Sequence, residues 1–169
     1  MQIRRSSFTG PRPTCRLDPR HPVHAHGSYQ RYRDCESAEL FPVLRFLCVP
    51  CGRTLSVLPD DRLPYRALTT AQIEADFDAR AAGHPPPPTP VATAGCLGRA
   101  WVALARHVPR LVALLGQLLP VTHRTAALVW SHLRHSGSLA TILLRLAAPF
   151  HTSLCGHYRC HQPWPAPHS

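Results

Sequence analysis

The chain has 169 residues and carries 19 basic side chains, all of them arginine, against 9 acids, for a formal net charge of +10 with its 12 histidines neutral. That length admits one ordinary domain or two small ones. It holds no membrane span, because its apolar runs are short, Leu111 to Leu115 for one stopping at Gly116 and Gln117, far below the roughly 20 residues a span needs.

The charge is unevenly spread. Residues 1–78 hold 11 Arg and all 9 acids, a net of +2, whereas residues 79–169 hold 8 Arg and no acid, a net of +8. Such a surplus suits a polyanionic partner, although Arg, Ala, Pro and Gly also accumulate in chains of GC-rich coding. No apolar stretch follows Arg4 and Arg5, so the expectation is a cytoplasmic protein without a secretory signal. There, 7 cysteines, an odd number, read as thiols or metal ligands rather than a disulfide framework.

Residues 1–14, polar and basic with Pro11 and Pro13, read as a disordered lead-in. Strands are expected over 27–33, 41–47 and 54–58, with the polar stretch 34–39 as a hairpin loop. Thr69 followed by Gln72 has the capping-box pattern and predicts a helix over 70–82, with Ile73 and Phe77 on one face and a stop at Gly83. The block 84–90, with five prolines, cannot be helix or central strand and reads as a semi-rigid linker. It marks the boundary between a unit at 15–83 and a basic helical module at 91–150.

In that module Leu97, Trp101, Leu104 and Val108 recur at helical steps. Pro109 predicts a break and a second segment over 110–119 that ends at Pro120. Thr122 is placed as the cap of a third helix that runs through Leu133 and closes at Ser136-Gly137. A fourth, over 138–148, aligns Leu139, Ile142, Leu143 and Leu146 before Pro149. Trp101 and Trp130 read as core, and His107, His123, His132 and His135 as residues of polar helix faces. The tail 151–169 reads as flexible. The expected architecture is α+β: a small three-stranded ribbon sheet plus one helix, then a mostly α-helical module, the two parts folding separately.

The most specific local signal is Cys48-Val49-Pro50-Cys51-Gly52. Two thiolates two residues apart can turn around one ion, and the glycine lets the backbone approach a sulfur, as in the knuckle of a zinc ribbon. A structural Zn2+ site wants four ligands. Upstream, Cys15-Arg16-Leu17-Asp18 repeats the gap with a carboxylate in place of the second thiol, so the expected set is Cys15, Asp18, Cys48 and Cys51. His21, His24 and His26 compete for the fourth place. The competing view makes the cysteines buried apolar thiols and Asp18 a turn residue before Pro19. A thioredoxin-type dithiol expects a βαβ setting that this region lacks.

The stretches His26-Gly27-Ser28-Tyr29-Gln30-Arg31-Tyr32-Arg33, Arg45 to Thr54, Ser56-Val57-Leu58-Pro59 and Leu63-Pro64-Tyr65-Arg66 together resemble bacterial transposon-associated zinc-ribbon proteins related to transposase N-terminal regions. The resemblance covers roughly residues 14–83 and continues weakly beyond. It implies a ribbon opened by a Cys-x-x-Cys pair and DNA binding linked to mobile elements, with a transposase or other protein as a further partner. The chain departs from that pattern at Asp18, where the family's second cysteine falls.

Arg31, Arg33, Arg45 and Arg53, interleaved with Tyr29 and Tyr32, suit phosphate contacts to DNA. The alternative is a solvated strand face whose arginines pair with Asp34, Glu36 and Glu39. The helix over 70–82 is a poor recognition helix, because Glu74, Asp76 and Asp78 would face phosphates with the wrong sign. No Ser, His and acid constellation arises in a half without acids, so no enzyme is expected. Cys155 to His161 is too compact for a second tetrahedral site. The rival reading is a structural adaptor whose helical half docks a protein.

Overall fold

The computed structural model describes residues 12–15, 17–59, 61–63, 67–116, 124–150 and 152–157. Of the expected lead-in over 1–14, residues 1–11 lie outside them, as do the Thr122 cap, the whole 117–123 stretch and the tail beyond 157, whereas Pro13 is described and is buried rather than loose. The architecture is α+β, a three-stranded antiparallel sheet followed by four helices.

Strands β1 (Val23–Tyr32), β2 (Leu40–Cys48) and β3 (Arg53–Val57) stand in the order β1-β2-β3. The loop between β1 and β2 turns on Asp34, whose carboxylate accepts the amides of Glu36 and Ser37. Register jumps between Ala25, opposite Phe46, and Gly27, opposite Arg45, so His26 is bulged out, and Gly27 takes φ +123° there. Pro42 falls where β2 has already passed the end of β3, which pairs only from Leu44 onward, so its missing amide donor leaves no gap in a two-sided ladder.

Helix α1 (Thr70–Ala81) starts on the expected capping box: Thr69 Oγ1 accepts from the Gln72 amide at 3.1 Å and Gln72 Oε1 from the Thr69 amide at 2.8 Å. It ends at Gly83, φ +73°, where the His84 amide reaches back to the Ala79 carbonyl in a Schellman turn. Then come α2 (Val91–Leu115), α3 (Ala126–Arg134), α4 (Leu139–Phe150) and a short hairpin of β4 (Thr152–Ser153) and β5 (Gly156–His157).

The helix expectations need three corrections. Pro109 does not break α2. Pro109 and Ala105, whose carbonyl loses its donor, both lie on the solvent face, so water satisfies that carbonyl. The buried stripe Leu97, Leu104, Val108, Leu111 and Leu115 runs on past the proline and holds the helix. The third helix is capped by Thr125, whose hydroxyl accepts from the Leu128 amide, and α4 runs through Pro149. The chain after 151 is not loose throughout, since Thr152 and Leu154 are buried and His107 Nε2 meets Thr152 Oγ1 at 3.1 Å. His107 therefore faces inward rather than lying on a polar face.

The proline segment 84–90 is exposed along its length, but the core crosses it. Phe77 of α1 stacks edge-on against Trp101 of α2 (4.9 Å) and Trp130 of α3 (5.2 Å). Two acids of α1, Asp78 and Glu74, point the same way. Asp78 accepts the Trp130 indole N–H at 2.7 Å and pairs with Arg134, and Glu74 pairs with Arg134 and caps α4 by accepting the Leu139 amide. Helix α1 thus belongs to the helical body and not to the ribbon, because its Ile73 and Phe77 face matches the apolar stripes of α2 and α3, while the sheet offers few buried apolar residues.

Phe77→Ala should cost about 3–5 kcal/mol, as removal of a fully buried aromatic does. Pro109→Ala, which restores a helical amide on the solvent face, should stabilise by up to about 3 kcal/mol. Urea denaturation followed by tryptophan fluorescence measures both, and a Pro109→Ala chain no more stable than wild type would show that the missing amide costs α2 nothing at this position.

Candidate metal centre

One turn supplies two candidate ligands. β2 ends at Cys48, the chain reverses through Val49 and Pro50, and β3 begins at Arg53. Gly52 takes φ +62° and donates its amide to the Val49 carbonyl at 3.3 Å, which carries Cys51 back beside Cys48. Cys48 is fully buried beneath the sheet end.

Cys15 and His21 close the group from the segment that leads into β1. Cys15 Sγ lies 3.6 Å from Cys51 Sγ, and His21 Nδ1 lies 3.1 Å from Cys51 Sγ and 3.8 Å from Cys48 Sγ. The four ligand atoms all fall within 4.8 Å of one another, close enough to hold one metal ion. Among the described residues no other three or more Cys, His, Asp or Glu side chains gather in this way.

The electrostatics of the group favour a cation. The backbone amides of Asp18 and Leu17, together with Cys48 and His21, hold the Cys15 thiol down to about 6 against the opposing effect of burial. Burial, with hydrogen bonds and charge from Cys15 and Cys48, pushes the Cys51 thiol up to about 12. One thiolate is thus easy and a second beside it is costly, a repulsion that a divalent ion among the sulfurs reverses.

The fourth member of the group is His21 and not the expected Asp18. The Asp18 carboxylate starts its own turn, with Oδ1 accepting the Arg20 amide at 2.9 Å and both oxygens bound by the Arg20 guanidinium, so it is drawn away from the sulfurs. That pairing holds the Asp18 carboxyl below its ordinary range. The turn places the His21 amide on the Asp18 carbonyl at 3.0 Å and aims Nδ1 inward, while Nε2 faces Asp18 Oδ2 at 3.8 Å. His24 and His26 stand exposed on β1, outside the group. The residues that signalled this outcome are Pro19 and Arg20: Asp-Pro opens a turn, and the arginine two places on occupies the carboxylate.

The ribbon arginines do not form one patch. Arg31 and Arg45 share a face of the sheet, but Arg53 pairs with Cys48 and so lies on the face of the metal ligands. Arg31 donates to the Leu63 carbonyl at 2.9 Å, Arg33 pairs with Glu39 at 3.1 Å, and Arg45 donates to Thr54 Oγ1 at 3.2 Å. Arg53 is exposed.

No helix of the described residues is long and apolar enough to cross a membrane. Comparison with protein-family models, with curated proteins and with solved structures finds no match to the chain.

Protein purified without chelator should carry one metal ion per chain by elemental analysis. His21→Ala should lose it on dialysis, while Asp18→Ala should retain it with affinity weakened by no more than about 10-fold to 100-fold, the range of a group behind a ligand. The reverse ranking would return Asp18 to the ligand set. Chelation should open the sheet to protease while leaving a fragment spanning α1 to β5 intact.

Proposed function

We propose that the metal is zinc and that the chain is a non-enzymatic zinc-ribbon protein that binds DNA through its phosphates. Three thiolates and one imidazole form a common structural zinc set, and bond lengths of about 2.0–2.3 Å place tetrahedral ligands about 3.6–3.8 Å apart. The observed separations of 3.6 and 3.8 Å match those edges, the 3.1 Å between His21 and Cys51 is shorter, and all four atoms lie within 4.8 Å of one another. When bound, the ion supplies structure: it ties the segment before β1 to the β2–β3 turn.

The observation that carries the nucleic-acid reading is where the acids go. Every described carboxylate is engaged inside the chain: Asp18 with Arg20, Asp34 with its own loop, Glu36 with Thr93, Glu39 with Arg33, Asp61 with Arg62, Glu74 with Arg134 and Leu139, Asp76 with Arg80, and Asp78 with Trp130 and Arg134. None of these pairings reaches Arg99, Arg106 or Arg110, which stand exposed along α2. Arg99 and Arg106 border a groove of about 620 Å³ whose floor includes Gly95 and Gly98, small enough to admit a sugar-phosphate backbone. Arginine meets phosphate through a planar fork and releases condensed counterions, so this surface favours strong but weakly sequence-selective, salt-sensitive binding.

Arg31, Arg33 and Arg45 already have partners in the fold, so the proposal rests on α2 rather than on the ribbon. The resemblance of the ribbon residues to transposon-associated proteins supports a mobile element as the source of the DNA and a transposase as a companion.

Anisotropy titrations of a labelled duplex at several salt concentrations test the proposal. Arg99→Ala and Arg106→Ala should each lower the slope of log affinity against log salt by about one unit, whereas Arg33→Ala should leave it unchanged. Absence of binding at low salt, or a slope indifferent to the α2 arginines, would favour the adaptor reading, in which exposed Val102 and Leu128 meet a protein instead.

A further inference from the structure

The loop between β1 and β2 carries a cysteine that the metal centre does not use. Cys35 Sγ lies 2.9 Å from Cys96 Sγ in the second turn of α2, closer than the 3.6 Å that separates Cys15 and Cys51. Both are free thiols and both are partly buried rather than enclosed, which leaves a small reagent a path to them. The described residues place no third ligand beside the pair, which leaves it short of a metal site.

The approach is built by the fold from several sides. Asp34 turns the loop, Glu36 anchors it by accepting the Thr93 amide at 2.9 Å and the Thr93 hydroxyl at 3.2 Å, and Cys35 faces the Ala67 carbonyl at 3.2 Å. The Asp34 turn and the Glu36 anchor depend on neither thiol, so the backbone itself holds the two sulfurs side by side.

We propose that Cys35 and Cys96 form a reversible disulfide by exchange with a low-molecular-weight disulfide such as oxidised glutathione. Cys96 sulfur attacks one sulfur of the reagent, its proton leaving with the first reduced thiol, and a mixed disulfide forms on Cys96. Cys35 sulfur then attacks Cys96 sulfur and expels the second thiol, which takes the Cys35 proton. Two protein thiols are oxidised to one disulfide, and one reagent disulfide is reduced to two thiols.

The order of attack follows from the surroundings. Arg99 Nη2 lies 3.1 Å from Cys96 Sγ, so the charge that gathers on sulfur during attack meets a guanidinium. Burial, the neighbouring Cys96, and the acids Glu36 and Asp34 push the Cys35 thiol up to about 12, which keeps it protonated until the mixed disulfide is in place beside it. The cross-link would join the sheet's loop to α2 covalently, so that the sheet stays on the helical body even when its metal is removed.

The test uses the full-length, metal-loaded chain incubated with oxidised glutathione, then alkylated with N-ethylmaleimide and mapped by peptide mass. The expected product joins the Cys35 and Cys96 peptides, reverts with dithiothreitol and leaves metal content unchanged. Cys35→Ser should trap glutathione on Cys96 instead. The oxidised wild type should also show a higher thermal midpoint than the reduced form, because the bond closes a long loop in the unfolded chain. Both thiols alkylated throughout, glutathione retained on wild-type Cys96 without a cross-link, or Cys96 joined to Cys155 would each overturn the proposal.

Discussion

The three-stranded sheet has too little to bury. No residue of β1 is buried, and the buried side chains described in the sheet region come down to Pro13, Cys15, Val43, Phe46, Cys48 and Leu55, none of which belongs to the main core of the helices. A small unit of this kind folds on a staple and not on its apolar area. The Cys15, His21, Cys48 and Cys51 group is placed to be that staple, since it ties the segment before β1 to the turn between β2 and β3. The polar, solvent-exposed β1 is tolerable because its register is set at one end by this group and at the other by the docked loop.

The helical half depends on a different economy, that of carboxylates. Beyond Asp78 the chain has no acid, so its helices cannot neutralise their own N-termini or arginines. They borrow from the first half. Pro90 at the start of α2 has no capping side chain, and Glu36 from the sheet loop supplies the acceptor to Thr93. Glu74 does the same for Leu139 at the start of α4, and Asp78 satisfies the indole of Trp130 in the core. The charge asymmetry along the chain is therefore partly a division of labour within one fold. What it leaves over is the exposed arginine row of α2.

Two kinds of tether then join the sheet to the helices. Arg62 lies over the Phe41 ring and donates to the Arg33 carbonyl, and Arg31 reaches the Leu63 carbonyl, so Arg62 and Leu63 lie across the face of the sheet that carries Val43. The β1–β2 loop meets α2 through Glu36 and Cys35. These contacts join residues far apart in the chain across an exposed proline segment, which acts as a spacer in covalent terms but not as a boundary in packing.

The sequence alone determined whatever a local rule controls. The three strands and their loop, the Thr69 to Gly83 helix with its caps, and the Cys48 to Gly52 knuckle were legible because a period, a capping side chain or a glycine at positive φ acts over a few residues. It also limited the fourth ligand to a short set that included His21. Only the tertiary structure chose among that set, since the choice turned on Arg20 drawing the Asp18 carboxylate away. Only the tertiary structure showed that Pro109 is tolerated, because that depends on which face of α2 meets solvent and on the stripe that packs past it. The placement of α1 against α2 and α3, the inward turn of His107 and the meeting of Cys35 with Cys96 were likewise decided by long-range packing. There the matching of apolar faces and of acids to uncapped helix ends outweighs nearness in the chain.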